Sequence, residues 1–159
     1  MFLVGDKIVY PMHGAGIIEA IEERAILGEN RKYYILKMPI GEMRVLVPVS
    51  HMPEGGLRPV ISAEGVEQVF RILGEDASTE MDNWNRRYRH NLEKLKSGDI
   101  YELAEVVRNL TRRDQRKGLS TGEKKMLDNA RQLLVSELVL AENSSEETVC
   151  IQIKTCLVA

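Results

Sequence analysis

The hydrophobic period of this chain changes once, and that change limits the fold to two unlike parts. Up to about residue 50, short β-branched and aromatic runs alternate with turn-forming residues, a pattern typical of strands. The runs cover residues 8–10, 17–21, 33–38 and 44–47. From Ser62 onward, apolar residues recur every three or four positions, which is typical of helices. A chain of 159 residues can hold two small domains of these kinds.

Four or five short strands in about 50 residues favour a small β-barrel, because a closed sheet hides its edges. The segment Pro53-Glu54-Gly55-Gly56 has the composition of a junction between domains. We therefore predict an α+β protein with a β-barrel over residues 1–56 and an all-α bundle over residues 57–159. The segment Gly14-Ala15-Gly16 could be a phosphate-binding loop or a tight turn between two strands. We predict the turn, because no helix follows whose N-terminus could bind a phosphate group.

Capping residues indicate where the helices begin. Ser62, Asp99 and Ser120 are favoured N-caps, and Glu123 has the spacing of a capping box with Ser120. A polar loop over residues 75–82 separates the first predicted helix from the second. The predicted helices start near residues 62, 83, 99, 120 and 144, the last in a tail whose β-branched residues also favour a strand.

Few residues have the spacing that catalysis or metal binding requires. His13, His51 and His90 are scattered, and Cys150 and Cys156 lack both metal-ligand partners and a glycine-rich turn. We therefore predict no enzymatic activity, no metal and no cofactor. The sequence shows neither a secretory signal nor an apolar stretch of about 18 residues, so we expect a cytoplasmic protein without membrane contact.

One segment combines basic and aromatic residues. The chain carries a net charge of −2, but residues 86–117 hold ten Lys or Arg and five Asp or Glu, a local charge of +5. Trp84, the single tryptophan, precedes Arg86, Arg87 and Arg89 at the start of the second predicted helix. An exposed ring beside arginines suits the minor groove of DNA. The helical spacing of this tryptophan suits a core stripe, and its residue type favours that interpretation, because tryptophan is usually largely buried. A second basic set is predicted to extend this surface or to form an ordinary solvated face: Arg108, Arg112, Arg113, Arg116 and Lys117.

Motifs spread along the whole chain occur together in one known family. They are Val4-Gly5-Asp6-Lys7-Ile8-Val9-Tyr10-Pro11, His13-Gly14-Ala15-Gly16, Asn83-Trp84-Asn85-Arg86-Arg87-Tyr88, Asn91-Leu92-Glu93-Lys94-Leu95, Ser97-Gly98-Asp99, Ala104-Glu105-Val106-Val107-Arg108-Asn109-Leu110, Arg112-Arg113-Asp114-Gln115, Gly118-Leu119-Ser120 and Gly122-Glu123-Lys124. At these offsets they resemble the CarD/CdnL family of bacterial transcription regulators. The resemblance implies a Tudor-like or SH3-like barrel that binds the β subunit of RNA polymerase. It also implies a helical bundle that contacts promoter DNA at the upstream edge of the transcription bubble and steadies the open complex.

The resemblance further implies roles for single residues. Trp84 matches the family's tryptophan, a minor-groove wedge that hinders the bubble from collapsing. Arg86 and Arg87 match positions near the DNA backbone. Asn83, Arg89 and Lys124 are also predicted to contact DNA. Arg24 matches a polymerase contact. Leu46 stands where some members carry an arginine for the same interface. Arg44 lies two residues earlier and therefore on the same strand face, so we expect it to replace that arginine.

The expected partners are the polymerase β subunit and promoter DNA, the latter bound weakly and largely without regard to sequence. We expect the protein to act as a monomer in that complex and to reach the nucleoid through polymerase. Two alternatives remain open. One is an adaptor whose barrel edge pairs with a partner strand, without DNA contact. The other is a dimeric repressor that reads the major groove from one helix.

Overall fold

The N-terminal part of the chain folds into one antiparallel sheet. The computed structural model describes residues 2–50, 56–77 and 83–158. The strands are Lys7–Tyr10 (β1), Gly14–Ile26 (β2), Glu29–Lys37 (β3), Arg44–Pro48 (β4) and Arg58–Pro59 (β5). Their order is β4-β3-β2-β1-β5, so that each long strand pairs with its neighbour in sequence. The predicted α+β class, a small Tudor-like β domain followed by helices, is confirmed.

Two details of the sheet differ from the sequence predictions. The sheet continues past residue 56, because β5 pairs with β1. The segment Gly14-Ala15-Gly16 is the start of β2 rather than a turn, and the chain reverses over residues 11–13. Close packing explains the glycine at its start, since a Cβ on Gly14 would lie 3.0 Å from Ser136 Oγ. The predicted junction at residues 53–55 lies outside the described residues.

Within the described residues, five helices follow the sheet. They are Ala63–Gly74 (α1), Trp84–Lys96 (α2), Ile100–Arg116 (α3), Thr121–Glu142 (α4) and Glu146–Val158 (α5). The predicted N-caps are confirmed: the side chains of Ser62, Asp99 and Ser120 each accept a backbone N–H of the first turn. The tail is helical as predicted, because α5 packs a stripe of every fourth residue into the bundle core despite its β-branched composition. Part of the predicted polar loop, residues 78–82, lies outside the described residues.

The sheet packs on α4 through a partly buried ion pair and an apolar cluster. The guanidinium of Arg58 donates two hydrogen bonds to Glu137 on α4, at 2.6 and 2.7 Å. Ser136, one residue earlier, accepts the backbone N–H of Ala15 at 3.0 Å. The apolar cluster beside them is formed by Val9, Ala15 and Leu140. These contacts fix the orientation of the sheet relative to α4.

Candidate functional site

Trp84 occupies the first position of α2, and much of its indole ring faces solvent. The side chain is 42% exposed, whereas Leu95, at the other end of the same stripe, is buried. The ring stacks on Tyr88 one turn later, with the ring centroids 4.9 Å apart and the planes at 17°. The stripe therefore leaves the core at its N-terminal end, and the interpretation of Trp84 as a core residue is wrong.

A hydrogen bond to Ser120, the N-cap of α4, fixes the orientation of the Trp84 indole ring. Trp84 Nε1 donates to Ser120 Oγ at 3.0 Å. The same hydroxyl oxygen accepts the backbone N–H of Glu123 at 3.2 Å and donates to Glu123 Oε1 at 3.3 Å. A serine hydroxyl has one hydrogen to donate and two lone pairs to accept, so Ser120 uses its full capacity here. The stack and this bond together orient an exposed ring.

Arg87, three residues after Trp84, forms a buried ion pair with Glu123. Its Nε and Nη2 donate to the two carboxylate oxygens at 2.7 and 3.1 Å. Arg87 is 8% exposed and Glu123 is 1% exposed. The expectation that Arg87 faces the DNA backbone therefore does not fit the structure, because its guanidinium joins α2 to the start of α4. Its role is to position the two helix ends.

The charge on Glu123 is maintained by these neighbours. Burial alone raises the pKa of this carboxyl group. The hydrogen bonds and charge of Arg87, with smaller effects from Ser120 and Arg113, lower the pKa by more than burial raises it. The net result is a pKa below the ordinary value. The ion pair is therefore intact at neutral pH. It holds together the two helix ends that carry Trp84 and its hydrogen-bond partner Ser120.

The remaining residues predicted to contact DNA lie at the surface of the same region. Asn83 caps α2, and its Oδ1 accepts the backbone N–H of Arg86 at 3.1 Å. Arg86 and Arg89 on α2 are exposed, as is Lys124 in the first turn of α4. The structure thus brings the first turns of α2 and α4 together, with exposed cations and Trp84 beside them. Helix N-termini carry partial positive charge, so the region suits an anionic polymer.

The second basic set does not form one surface. Arg108 is buried, and its Nη1 donates to the carbonyl oxygen of Ile72 at 3.3 Å. Arg112 donates to the carbonyl oxygens of Leu73 and Glu75 at 3.4 and 3.1 Å. Both guanidinium groups therefore satisfy carbonyl groups at the C-terminal end of α1. The predicted continuous basic face is wrong for these two residues.

The three residues predicted to contact polymerase lie on one face of the sheet. Alternation along β4 turns Arg44 and Leu46 outward and Val47 into the core of the sheet domain. The expectation that Arg44 and Leu46 share a face is confirmed. Leu46 is in register with Ile35 of β3. Arg24 lies on the same outward face, on the arm of β2 that extends beyond that register.

Salt bridges occupy both arginines of this face. Arg44 donates to the carboxylate of Glu19 at 2.6 and 3.0 Å, and this hydrogen bonding lowers the pKa of Glu19. Arg24 donates to Glu22 at 3.1 and 3.3 Å. Both pairs are exposed to solvent, so a partner carboxylate can compete for either guanidinium group at modest cost.

The sequence prediction missed the residues that support Trp84. Tyr88 was placed on the core stripe, and it does pack against the core, but its stack on Trp84 was not predicted. Ser120 and Glu123 were identified as a capping box and as members of the family motifs. Glu123 in fact turns its carboxylate toward Arg87. The capping motif and the family motifs pointed to these two residues, but neither indicated which helix they contact.

Over residues 2–50, 56–77 and 83–158, no group of three or more His, Cys, Asp or Glu residues is arranged to hold a metal ion. None of the helices within those ranges is long and apolar enough to cross a membrane.

Comparison with known proteins assigns both parts of the chain. Residues 2–61 match the family described as the CarD-like/TRCF RID domain, and residues 68–154 match the CarD C-terminal domain. The chain is 44% identical over 149 residues to a Bacillus subtilis (strain 168) protein named "Putative transcription factor YdeB". That match covers 94% of this chain and 97% of the relative.

Proposed function

Because the chain belongs to the CarD family of transcription regulators, we propose that it stabilises the open promoter complex by holding RNA polymerase and DNA together. The sheet domain binds the polymerase β subunit. The helical part contacts DNA at the upstream edge of the bubble, where Trp84 enters the minor groove. The observation that carries this proposal is the indole ring of Trp84, which is exposed and yet held in one direction.

An oriented ring suits the role of a wedge. A side chain that is already fixed by Tyr88 and Ser120 loses little conformational freedom when it meets a base step. Stacking of a base on an aromatic side chain contributes about 1 to 3 kcal/mol. Apolar and aromatic wedges beside arginines prop open base steps in minor-groove proteins. The Trp84 ring has both the exposure and the support that such contact requires.

The exposed cations near the ring suit contact with phosphate groups. Arg86 and Lys124 lie in the first turns of two adjoining helices, and Arg89 lies one turn further along α2. Phosphate contacts position a protein on DNA but carry no base sequence. We therefore expect weak DNA binding with little sequence preference. Arg87 contributes indirectly, through its ion pair with Glu123.

A wedge of this kind acts on an equilibrium rather than by melting DNA itself. If the protein binds open promoter DNA better than closed DNA, the population of open complexes rises by the ratio of the two affinities. Each difference of about 1.4 kcal/mol changes this population tenfold. Docking on polymerase raises the local concentration of the helical domain, so weak DNA affinity suffices. The protein is expected to act as a monomer in this complex.

The contact between the two parts of the protein suits this joint role. The sheet and α4 are joined by the partly buried pair between Arg58 and Glu137, and Lys7 Nζ also donates to the carbonyl oxygen of Leu140 at 2.9 Å. The same α4 begins at Ser120, which holds the Trp84 ring. A polymerase bound to the outward face of the sheet therefore sets the position of the ring through one continuous helix.

We expect Arg24→Glu to weaken binding to purified polymerase at least tenfold, because it places a like charge where an acidic partner is expected. Folding stability should change little, since Arg24 is exposed. Binding is measured by titration of labelled full-length protein with polymerase. Arg71→Glu, at an exposed arginine of α1, is the matched control and should bind like wild type. Equal affinities of both variants would remove Arg24 from the interface.

We expect Arg86→Ala to weaken promoter association and to reduce the salt dependence of binding by about one unit in the log–log slope. The reason is that one phosphate contact releases about one condensed counterion. The measurement is a titration of promoter DNA at several salt concentrations with polymerase present. Lys154→Ala, at an exposed residue of α5, should leave the slope unchanged. A loss that depends on base sequence would favour the major-groove alternative instead.

A further inference from the structure

The first turn of α4 contains a glycine beside the Trp84 ring. Gly122 is the second residue of that helix, one position before the buried Glu123. Its φ is not positive, so the backbone conformation at this position suits any residue. Glycine lowers the stability of a helix relative to alanine. The conformation of the helix therefore gives no reason for a glycine here.

The space that a side chain at this position would occupy borders the two stacked rings. A Cβ atom placed on Gly122 would lie 3.6 Å from Trp84 Cζ2 and 3.8 Å from Tyr88 Cε2. Carbon atoms at such distances are in ordinary van der Waals contact, so a methyl group fits. A second carbon, about 1.5 Å further out, would overlap a ring if it were directed at one. The rings thus restrict residue 122 to a side chain that is very small or that turns away from them.

One edge of the indole contacts α4 at two points. Cζ2 and Nε1 are both bonded to Cε2, and Nε1 donates to Ser120 Oγ at 3.0 Å. The edge that faces α4 therefore lies beside Ser120 at one end and beside Gly122 at the other. A single hydrogen bond leaves a ring free to rock about it. A second contact on the same edge removes that freedom.

We propose that Gly122 is a positioning residue for the Trp84 ring. Its missing side chain lets the indole lie close to α4, and this position sets the angle at which the ring leaves the protein. The inference rests on the proposed function, in which the direction of that ring determines how it enters DNA. A larger side chain at position 122 displaces the ring but lies far from the polymerase-binding face in the fold, so it weakens the wedge and leaves polymerase binding unchanged.

Valine and alanine at position 122 test the proposal in opposite directions. Valine carries two carbons on its Cβ and has one strongly preferred rotamer in a helix, so it has little freedom to avoid the rings. Gly122→Val should shorten the lifetime of open promoter complexes roughly fivefold or more, toward that of Trp84→Ala. Gly122→Ala should keep the wild-type lifetime or lengthen it, and its melting temperature should stay equal or rise by up to about 3 °C.

Fluorescence measures the position of the ring in the absence of DNA. The chain has one tryptophan, so emission excited selectively from tryptophan reports Trp84 alone. Acrylamide should quench this emission more in Gly122→Val than in wild type, and equally or less in Gly122→Ala. The matched controls are Gly74→Val and Gly74→Ala, at a helical glycine of α1 whose added Cβ would meet no described residue outside that helix within 4 Å. Both controls should keep wild-type quenching and wild-type lifetime.

The outcomes separate the position of the ring from its role at the promoter. Wild-type quenching in Gly122→Val would overturn the proposal, because the ring would then be unmoved by the larger side chain. Should Gly122→Val fail to fold, Gly122→Ala decides alone, and stronger quenching or a shorter lifetime than wild type overturns the proposal. Equal lifetimes for wild type and Trp84→Ala, with the expected changes in quenching, would overturn the proposed function while the contact between Gly122 and the ring stands.

Discussion

Replacing Glu123 by alanine is expected to lower the free energy of unfolding by about 3 to 5 kcal/mol. The buried guanidinium of Arg87 would lose the carboxylate that accepts two of its hydrogen bonds, and burial makes such a loss costly. Proteins of this size are stable by about 5 to 15 kcal/mol in total, so the loss would be a large share. The melting temperature should fall by roughly 6 to 20 °C.

The matched control is Glu105→Ala, which removes the partner of Lys94 in a more exposed pair between α2 and α3. That change should cost about 1 kcal/mol or less. A double variant, Arg87→Met with Glu123→Met, should recover most of the stability, because two apolar side chains of similar size can replace a buried ion pair. Equal melting temperatures for Glu123→Ala and Glu105→Ala would contradict a structural role for the buried pair.

The contribution of Glu123 should also depend on pH in a defined direction. Its folded pKa lies below the ordinary 4.5, so its stabilisation is complete above that value. As the pH falls through the lower folded pKa, the carboxylate is protonated and the stabilisation is lost. The difference in unfolding free energy between wild type and Glu123→Ala should therefore be full at pH 7 and shrink in acid. Denaturant titrations across this range measure it.

The fold could be predicted because its information is local. The N-caps Ser62, Asp99 and Ser120 stand beside the helices that they start, and the change of hydrophobic period separates sheet from helices. The segment Gly14-Ala15-Gly16 was assigned to a turn because glycine is common there. Its glycines in fact permit close contact between β2 and residues distant in sequence, such as Ser136, which no local pattern reveals.

The sequence located the site but did not show which of its residues are exposed and which are buried. The neighbours Arg86 and Arg87 look equivalent in the sequence, yet one is exposed and the other is buried against Glu123, which lies 36 positions away. The spacing of Trp84 to Tyr88 fits a core stripe and a surface stack equally well. Only the contact between α2 and α4 decides these cases, and that contact depends on tertiary packing.

Replacing Trp84 by alanine is expected to shorten the lifetime of open promoter complexes by roughly 5- to 150-fold, the range that corresponds to about 1 to 3 kcal/mol of stacking. Polymerase binding should stay intact, because the sheet and the ring act at different places. Folding should lose only about 1 to 2 kcal/mol, from the hydrogen bond to Ser120 and the stack on Tyr88. A fully buried tryptophan would cost about 3 to 5 kcal/mol.

Two further variants should shorten the lifetime of the open complex less than Trp84→Ala does. Trp84→Phe should retain part of the lifetime, since stacking needs a flat ring more than an indole N–H. Ser120→Ala should give an intermediate lifetime, because the ring stays in place but loses the bond that orients it. An order of wild type, Ser120→Ala and Trp84→Ala in decreasing lifetime would match a wedge whose direction matters.

The most direct test is the decay of preformed open complexes after addition of a competitor, with purified polymerase and either wild-type protein or Trp84→Ala. Both proteins are added at concentrations that saturate polymerase, and melting curves on the same preparations establish that both are folded. We predict slow decay with wild type and decay with Trp84→Ala close to that of polymerase alone. Equally slow decay with the two proteins would contradict the proposed role of Trp84 at the promoter.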